Sequence, residues 1–409
     1  MARWQTRVGG GGIGVFFRTA TAGLLAIMLL APIASAQSID AGLAARLNPA
    51  QQQAYLLHLR ARAAHERDAQ RYWSLIDEKR DGRRRKRARG QGFAPEDYVT
   101  EQPPAYTGPA LSPDIAKIVA EVRPAEPEEP RPGVTDFLEA ARREFAFVPN
   151  STTEKDFKRR YAEEALAVGL TKEQVVRVYA LETGGRGTYD MQAGIDPETR
   201  KGKPISSALG YAQLLNANSV NEVVKHGDAF IARLSTIAAA SATPASRATL
   251  LRAKIIVLRR MQQAARSVPN EWAAHTAFGG TAKGMGIHAL NLDADLGPLL
   301  QVVKLSGLRK EAELAGRPKL TGAEIELMNL AGPRTGLEMM DAPGRGMPTA
   351  NFFSHKGYWR NTIVRGKTAA ELLAALDERI EVHMKKPGSI EFAAAFDEAG
   401  RAALREGRR

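Results

Sequence analysis

Glu182 is the carboxylate in this sequence whose local setting most favours acid–base chemistry. Thr171-Lys172-Glu173-Gln174 has the form of a capping box, with Thr171 as N-cap and Gln174 reaching back to it. The spacing predicts a helix through Val175, Val178 and Tyr179 that stops at Gly184-Gly185. Counted from Val175, the i+3, i+4 and i+7 positions are Val178, Tyr179 and Glu182, so the acid falls on the apolar stripe in the last turn. Partial desolvation and the negative end of the helix dipole both disfavour its ionised form. A carboxyl whose pKa is raised in this way is equipped to serve as the general acid of a glycosidase. The structural alternative is that Glu182 hydrogen-bonds the glycine turn or pairs with an arginine. Glu324 and Glu326 are the next candidates for the acid.

Other chemistries fall away. The chain has no cysteine, which excludes a disulfide scaffold, a thiol nucleophile, thiolate zinc sites and cysteine-held iron–sulfur clusters. It contains no H-E-x-x-H and no G-x-S-x-G. His275 and His288 have no carboxylate at ligand spacing and read as hydrogen-bonded structural histidines. Gly366-Lys367-Thr368 ends like a P-loop, but Asn361 stands where its first glycine belongs. Gly279-Gly280 with Gly284 and Gly286 has no preceding strand to make a dinucleotide site. No metal and no cofactor is expected.

Downstream of Glu182-Thr183-Gly184-Gly185 lies Ser207-Ala208-Leu209-Gly210-Tyr211-Ala212-Gln213-Leu214-Leu215. Together these segments resemble the lytic transglycosylases of the lysozyme-like superfamily, relatives of goose-type lysozyme. There the catalytic glutamate opens an E-S-G-type corner and a G-A-x-G-x-M-Q-L segment follows. Gln213, Gly210 and Ala208 match that segment, while Ser207 replaces its first glycine and Ala212 its methionine. A later A-Y-N-x-G motif is echoed around Asn329, with Met328 in place of the tyrosine, and Tyr358 takes the position of a late family tyrosine.

The resemblance implies a lysozyme-like fold and a catalytic Glu182, with Gln213, Tyr211, Gly210, Asn329 and Tyr358 binding substrate. The implied substrate is the peptidoglycan strand, cut between N-acetylmuramic acid and N-acetylglucosamine. One glutamate protonates the glycosidic oxygen, then accepts the proton of the sugar's own 6-hydroxyl, which closes an anhydro ring. Hydrolysis would instead need a placed water, for which Asp190 or Asp196 could supply a second carboxylate if their loop folded back. The uncharged amides of Gln213 and Asn329 and the ring of Tyr211 suit a glycan and not a nucleic acid. The alternative function is a non-catalytic peptidoglycan-binding or envelope scaffold protein that keeps a lysozyme-like domain.

The elements that must position these residues are mostly helical. The expected fold class is mostly α: a lysozyme-like helical domain preceded by a long N-terminal helix and a proline-rich linker. Asn48 as N-cap and Pro49 at the first helical position open a helix expected to run to about Arg80 and stop at Gly82. Eight prolines between Pro103 and Gly133 predict an extended, solvated linker. The division expected is 1–36 leader, 37–90 helical and basic segment, 91–133 linker, 134–384 transglycosylase-like domain, and 385–409 a charged tail in the form of one short helix open to fraying.

Arg3, Arg7 and Arg18, the apolar stretch from Ala20 to Ile33, and Ala34-Ser35-Ala36 before Gln37 have the layout of a cleavable signal peptide, so a periplasmic or secreted location is expected. The 409 residues carry a net charge of +13, and removal of the leader's three arginines leaves +10. Eight basic residues and Asp81 between Lys79 and Arg89 account for +7 of that. This run reads first as a solvated face, and second as a contact through Arg83–Arg89 with anionic envelope polymers or a membrane surface.

Overall fold

The computed structural model describes residues 39–124 and 130–406. The expected leader over residues 1–36 lies outside them. Helical periodicity dominates, and the described residues form sixteen α-helices, with only isolated β-bridges and no strand. The fold is mostly α, as the sequence indicates. Two compact units contain the described residues: 39–69 with 104–124, and 70–103 with 130–406.

In the first unit, α1 (Ala41–Ala44) is capped by Asp40, and α2 (Pro49–Ala88) begins as expected. The Gln51 amide donates to Asn48 Oδ1 at 2.9 Å, and the Asn48 amide to Gln51 Oε1 at 3.0 Å. The proline-rich stretch departs from the expected solvated linker, because it contains α3 (Pro113–Val122). Pro113 occupies the first turn, where its missing N–H costs nothing. Ile115 of α3 packs with Leu43, Leu47 and Tyr55 in a small core. The prolines also use their carbonyls: His58 Nδ1 donates to Pro109 O at 2.8 Å and His65 Nε2 to Pro104 O at 3.0 Å.

In the second unit, α2 does not stop at Gly82 but continues to Ala88. A mid-helix glycine costs only about 1 kcal/mol, and the buried Arg83 offsets this with three hydrogen bonds. Residues 91–103 are likewise not a tether. The Val99 amide donates to Asn351 Oδ1 at 2.9 Å, and Asn351 Nδ2 returns a bond to Val99 O at 2.8 Å.

The remaining helices come in order. Helices α4 (Val134–Phe145), α5 (Glu154–Ala167) and α6 (Lys172–Thr183) lead to the long pair α7 (Asn216–Ala239) and α8 (Ala245–Ala265). Then come α9 (Trp272–Gly279), α10 (Ala282–His288), α11 (Leu296–Leu314), α12 (Gly322–Ala331) and α13 (Pro333–Met340). The short α14 (His355–Arg360), α15 (Ala369–Met384) and α16 (Pro387–Glu406) complete the series. The main core joins α4, α7, α8, α10 and α11 through residues such as Phe137, Val223, Leu258, Ile287 and Leu300. At the start of α11, buried Lys254 bonds Asp293 Oδ1 at 2.7 Å and Asp295 Oδ2 at 2.6 Å.

The charged helix expected over 385–409 forms, in its described part, as α16, but it belongs to the core. Phe392, Ala395, Phe396 and Ala399 are buried. The Phe392 ring lies 5.2 Å from Tyr179, 5.4 Å from Tyr211 and 5.5 Å from Tyr161. Its apolar residues recur at helical spacing, and that stripe, not the net charge, decides its place.

Candidate active site

Helix α6 forms as its capping box dictates. The Gln174 amide donates to Thr171 Oγ1 at 3.2 Å, and the Thr171 amide to Gln174 Oε1 at 3.1 Å. It closes at Gly184 and Gly185, both in the left-handed region. Glu182, in its last turn, is half-buried on the wall of a cavity of about 1200 Å³. The opposite wall comes from α12, and Gly322 permits its close approach: a Cβ there would lie 2.4 Å from Arg177 Cβ on α6. Glu326 and Asn329, three residues apart on one face of α12, therefore meet Glu182.

Asn329 Nδ2 donates to Glu182 Oε1 at 2.8 Å. Glu326, buried, lies against Glu182, and the two carboxyls titrate together. Lys304 of α11 stands near both and makes no ion pair within 4.0 Å among the described residues. Burial pushes the Glu182 carboxyl up, against the opposing pull of Lys304 and of the contacts with Glu326 and Asn329. Glu326 is pushed well above the carboxylate range, by burial first and by the Glu182 charge second. Burial also drives Lys304 down, although Glu182, Glu326 and Glu222 attract its charge. Such a pair titrates as one unit and keeps a proton that an isolated carboxylate would lose.

Gln213 lines the same cavity, and its Nε2 donates to Gly210 O at 2.8 Å. Its φ of 41° is unusual for a residue with a side chain, a form of local strain that concentrates at functional positions. Gly210, with φ 72°, makes the turn and does not itself line the cavity. His288 holds the start of this segment: its Nε2 donates to Ser207 O at 2.6 Å, and its Nδ1 lies 2.8 Å from Ser219 Oγ. Thus Glu182, Gln213 and Asn329 share one groove.

Compared with known proteins, the chain matches no family model, no curated protein and no solved structure. The chemistry and geometry of the groove therefore carry the functional reading.

Two expected substrate contacts are corrected. Tyr211 is buried, surrounded by Phe157, Tyr161, Tyr179 and Phe392, with its hydroxyl on Glu154 at 2.5 Å. Its ring completes the core beneath α6 and offers no face to a sugar. Tyr358 is buried against Trp73 and Trp359, and its hydroxyl accepts the Gly366 amide at 2.7 Å, away from the groove.

Neither loop aspartate reaches the cavity. Asp190 pairs with Arg200 at 2.8 Å, and Asp196 caps the turn at Thr199. Glu324 is spent on the α12 capping box. His275 is buried, but neither ring nitrogen has a hydrogen-bond partner among the described residues, unlike His288.

Two groove residues, Lys304 and Trp272, were not singled out from the sequence, and Glu326 was named only as an alternative acid. Glu326 stands i−3 from Asn329, a spacing that already puts both on one helix face. Lys304 is a lone cation in the apolar run Leu299–Leu308, and that isolation was a usable signal. Trp272 is 55 % exposed on the cavity wall, near the amides of Asn218, Asn221 and Asn270 on the same lining. Nothing in its local pattern distinguishes it from an ordinary surface aromatic.

Proposed function

We propose that this chain is an exported murein-active enzyme that cleaves between N-acetylmuramic acid and N-acetylglucosamine as a lytic transglycosylase. The observation that carries the reading is Glu182 on an open groove, with Oε1 held by Asn329 and buried Glu326 beside it, so that burial keeps a proton on the pair. Glu182 gives that proton to the glycosidic oxygen as the bond breaks. Its carboxylate, steadied by Asn329, then takes the proton of the 6-hydroxyl, whose oxygen closes on the anomeric carbon. The acid is thereby restored, with no water consumed.

The position of Glu326 favours this route over hydrolysis. Enzymes that use two carboxylates for hydrolysis hold them about 5–9 Å apart, across the bond that is cut. Carboxyls that lie against each other leave no room for a sugar between them and act as a single acid. The groove offers amides and one exposed indole, groups that suit N-acetyl functions and the apolar face of a pyranose.

The test is digestion of purified sacculi by the wild-type chain and by Glu182→Gln, with the released fragments analysed for anhydro ends. Wild type should release anhydro products, and the variant should lose about two to four powers of ten in rate while keeping its melting temperature. Reducing ends in place of anhydro ends would make the enzyme a hydrolase. Equal activity in both proteins would remove Glu182 from the chemistry.

A further inference from the structure

The basic run on α2 is more structured than a solvated charge face. Arg80, Arg83, Arg84 and Arg87 recur at i, i+3, i+4 and i+7, which places them on one side of the helix. All four line a cavity of about 360 Å³, closed on the other side by Thr335, Glu338, Asn351, Phe352 and Ser354. We propose that this cavity binds the phosphomonoester group of a small ligand. The site is separate from the Glu182 groove and does not rest on the function proposed for it.

Arg83 is its fixed floor. Its Nε donates to Glu338 Oε1 at 2.7 Å, and its terminal nitrogens donate to Asp97 O at 2.8 Å and Asn351 O at 2.7 Å. Its guanidinium also lies 4.3 Å over the Tyr98 ring. Arg87 takes the second Glu338 oxygen and stands over Phe93. Glu338 is thus fully engaged by two arginines, and the lining contains no other carboxylate.

Arg80 and Arg84 are left with acids on the solvent side alone. Asp77 and Asp81 meet them at 3.0 and 2.7 Å, but both are more than half exposed, and such pairs contribute little. Arg80 also donates to Phe353 O at 2.5 Å, while its Nε is buried without an acceptor. Burial lowers the pKa of Arg80, and the like charges of Arg83 and Arg84 add to that, although Asp77 and Asp81 oppose it.

The four arginines meet three carboxylates, and two of these lie exposed outside the lining, so the half-enclosed cavity keeps an excess of positive charge. A carboxylate would supply one charge and satisfy one planar fork. A phosphomonoester supplies close to two charges and three acceptor oxygens, which suits several converging guanidinium groups. The volume admits a phosphate with a small organic group and is near the lower limit for ligand pockets.

The test uses the full chain and isothermal titration with glycerol 3-phosphate, alongside co-sedimentation with phosphatidylcholine vesicles with or without phosphatidic acid. Arg84→Gln removes a cavity guanidinium from an exposed position, Arg80→Gln removes the one with the unpaired Nε, and Arg85→Gln removes an equal charge from an exposed residue that does not line the cavity. The expected result is one-to-one binding of the soluble phosphate, about tenfold weaker in Arg84→Gln or Arg80→Gln and unchanged in Arg85→Gln. Binding restricted to phosphatidic acid vesicles, with the same ranking of variants, supports the site and identifies the source as a lipid headgroup. Absence of binding to either probe overturns the proposal. So does equal weakening by Arg84→Gln and Arg85→Gln, which would mark diffuse surface charge.

Discussion

His288 should make the stability of this protein depend on pH in one defined window. It is fully buried, and its two nitrogens have fixed and different roles. Nε2 must carry the hydrogen, because its partner is the Ser207 carbonyl. Nδ1 of the neutral ring is then the acceptor, with the Ser219 hydroxyl 2.8 Å away. A second proton would bury a charge. Burial accordingly lowers the His288 pKa from 6.5 to about 4, with the Ser207 bond opposing. The unfolded chain therefore takes up a proton where the native state does not, between about 6.5 and 4, and stability falls as the pH is lowered through that window. At about 1.4 kcal/mol per pH unit, the loss from pH 6.5 to 4 amounts to about 3 kcal/mol from this one residue. The assay is urea unfolding at several pH values in that window, for wild type and for His288→Gln, whose amide can still donate to Ser207 O. Carboxyl groups titrate in both proteins, so the difference between the two curves isolates the histidine. The variant should start less stable near neutrality and lose less on acidification. Parallel curves would refute the assignment of a neutral, Nε2-protonated imidazole.

Three further outcomes are expected. Glu326→Leu removes the contact that holds the Glu182 pKa down, so the alkaline limb of the rate profile should move to higher pH; an unmoved limb would show that the pair does not titrate together. Trp272→Ala should raise KM for glycan fragments about tenfold, with kcat and melting temperature nearly unchanged, because the ring is half exposed and packs little; steady-state kinetics on soluble strands decides it. Phe392→Ala should cost about 3–5 kcal/mol in urea unfolding, since the ring is fully enclosed by tyrosines, whereas a fraying tail would show almost no loss.

The helical class, the α6 capping box and the glycine stop were legible because each follows from local spacing, whereas the grouping of Glu182 with Gln213 and Asn329 was implied by the family resemblance alone. What was not legible depends on partners distant in the chain. Gly82 has the look of a helix stop until Glu338 and Asn351 supply anchors for the adjacent Arg83. The proline-rich stretch has a solvated composition, and composition does not reveal that the helix beside it carries histidines for its carbonyls. Tyr211 has the amphipathic character of a sugar platform, but the same ring fills the space between α5, α6 and α16, and burial of its large apolar face prevails. Trp272 shows the converse: an aromatic with no local signal becomes part of the groove only through the packing of α7, α9 and α11.

The packing of α16 beneath α6 has a consequence for how the groove comes into being. The aromatic cluster that backs the Glu182 helix is not complete until Phe392 arrives, and Phe392 is carried by the last helix described. A chain emerging from the ribosome has already released every groove residue while that backing is still missing. The acid therefore has no firm support until α16 is free. Proteins shortened before α16 should be produced with all of their chemical groups and without the means to hold them in place.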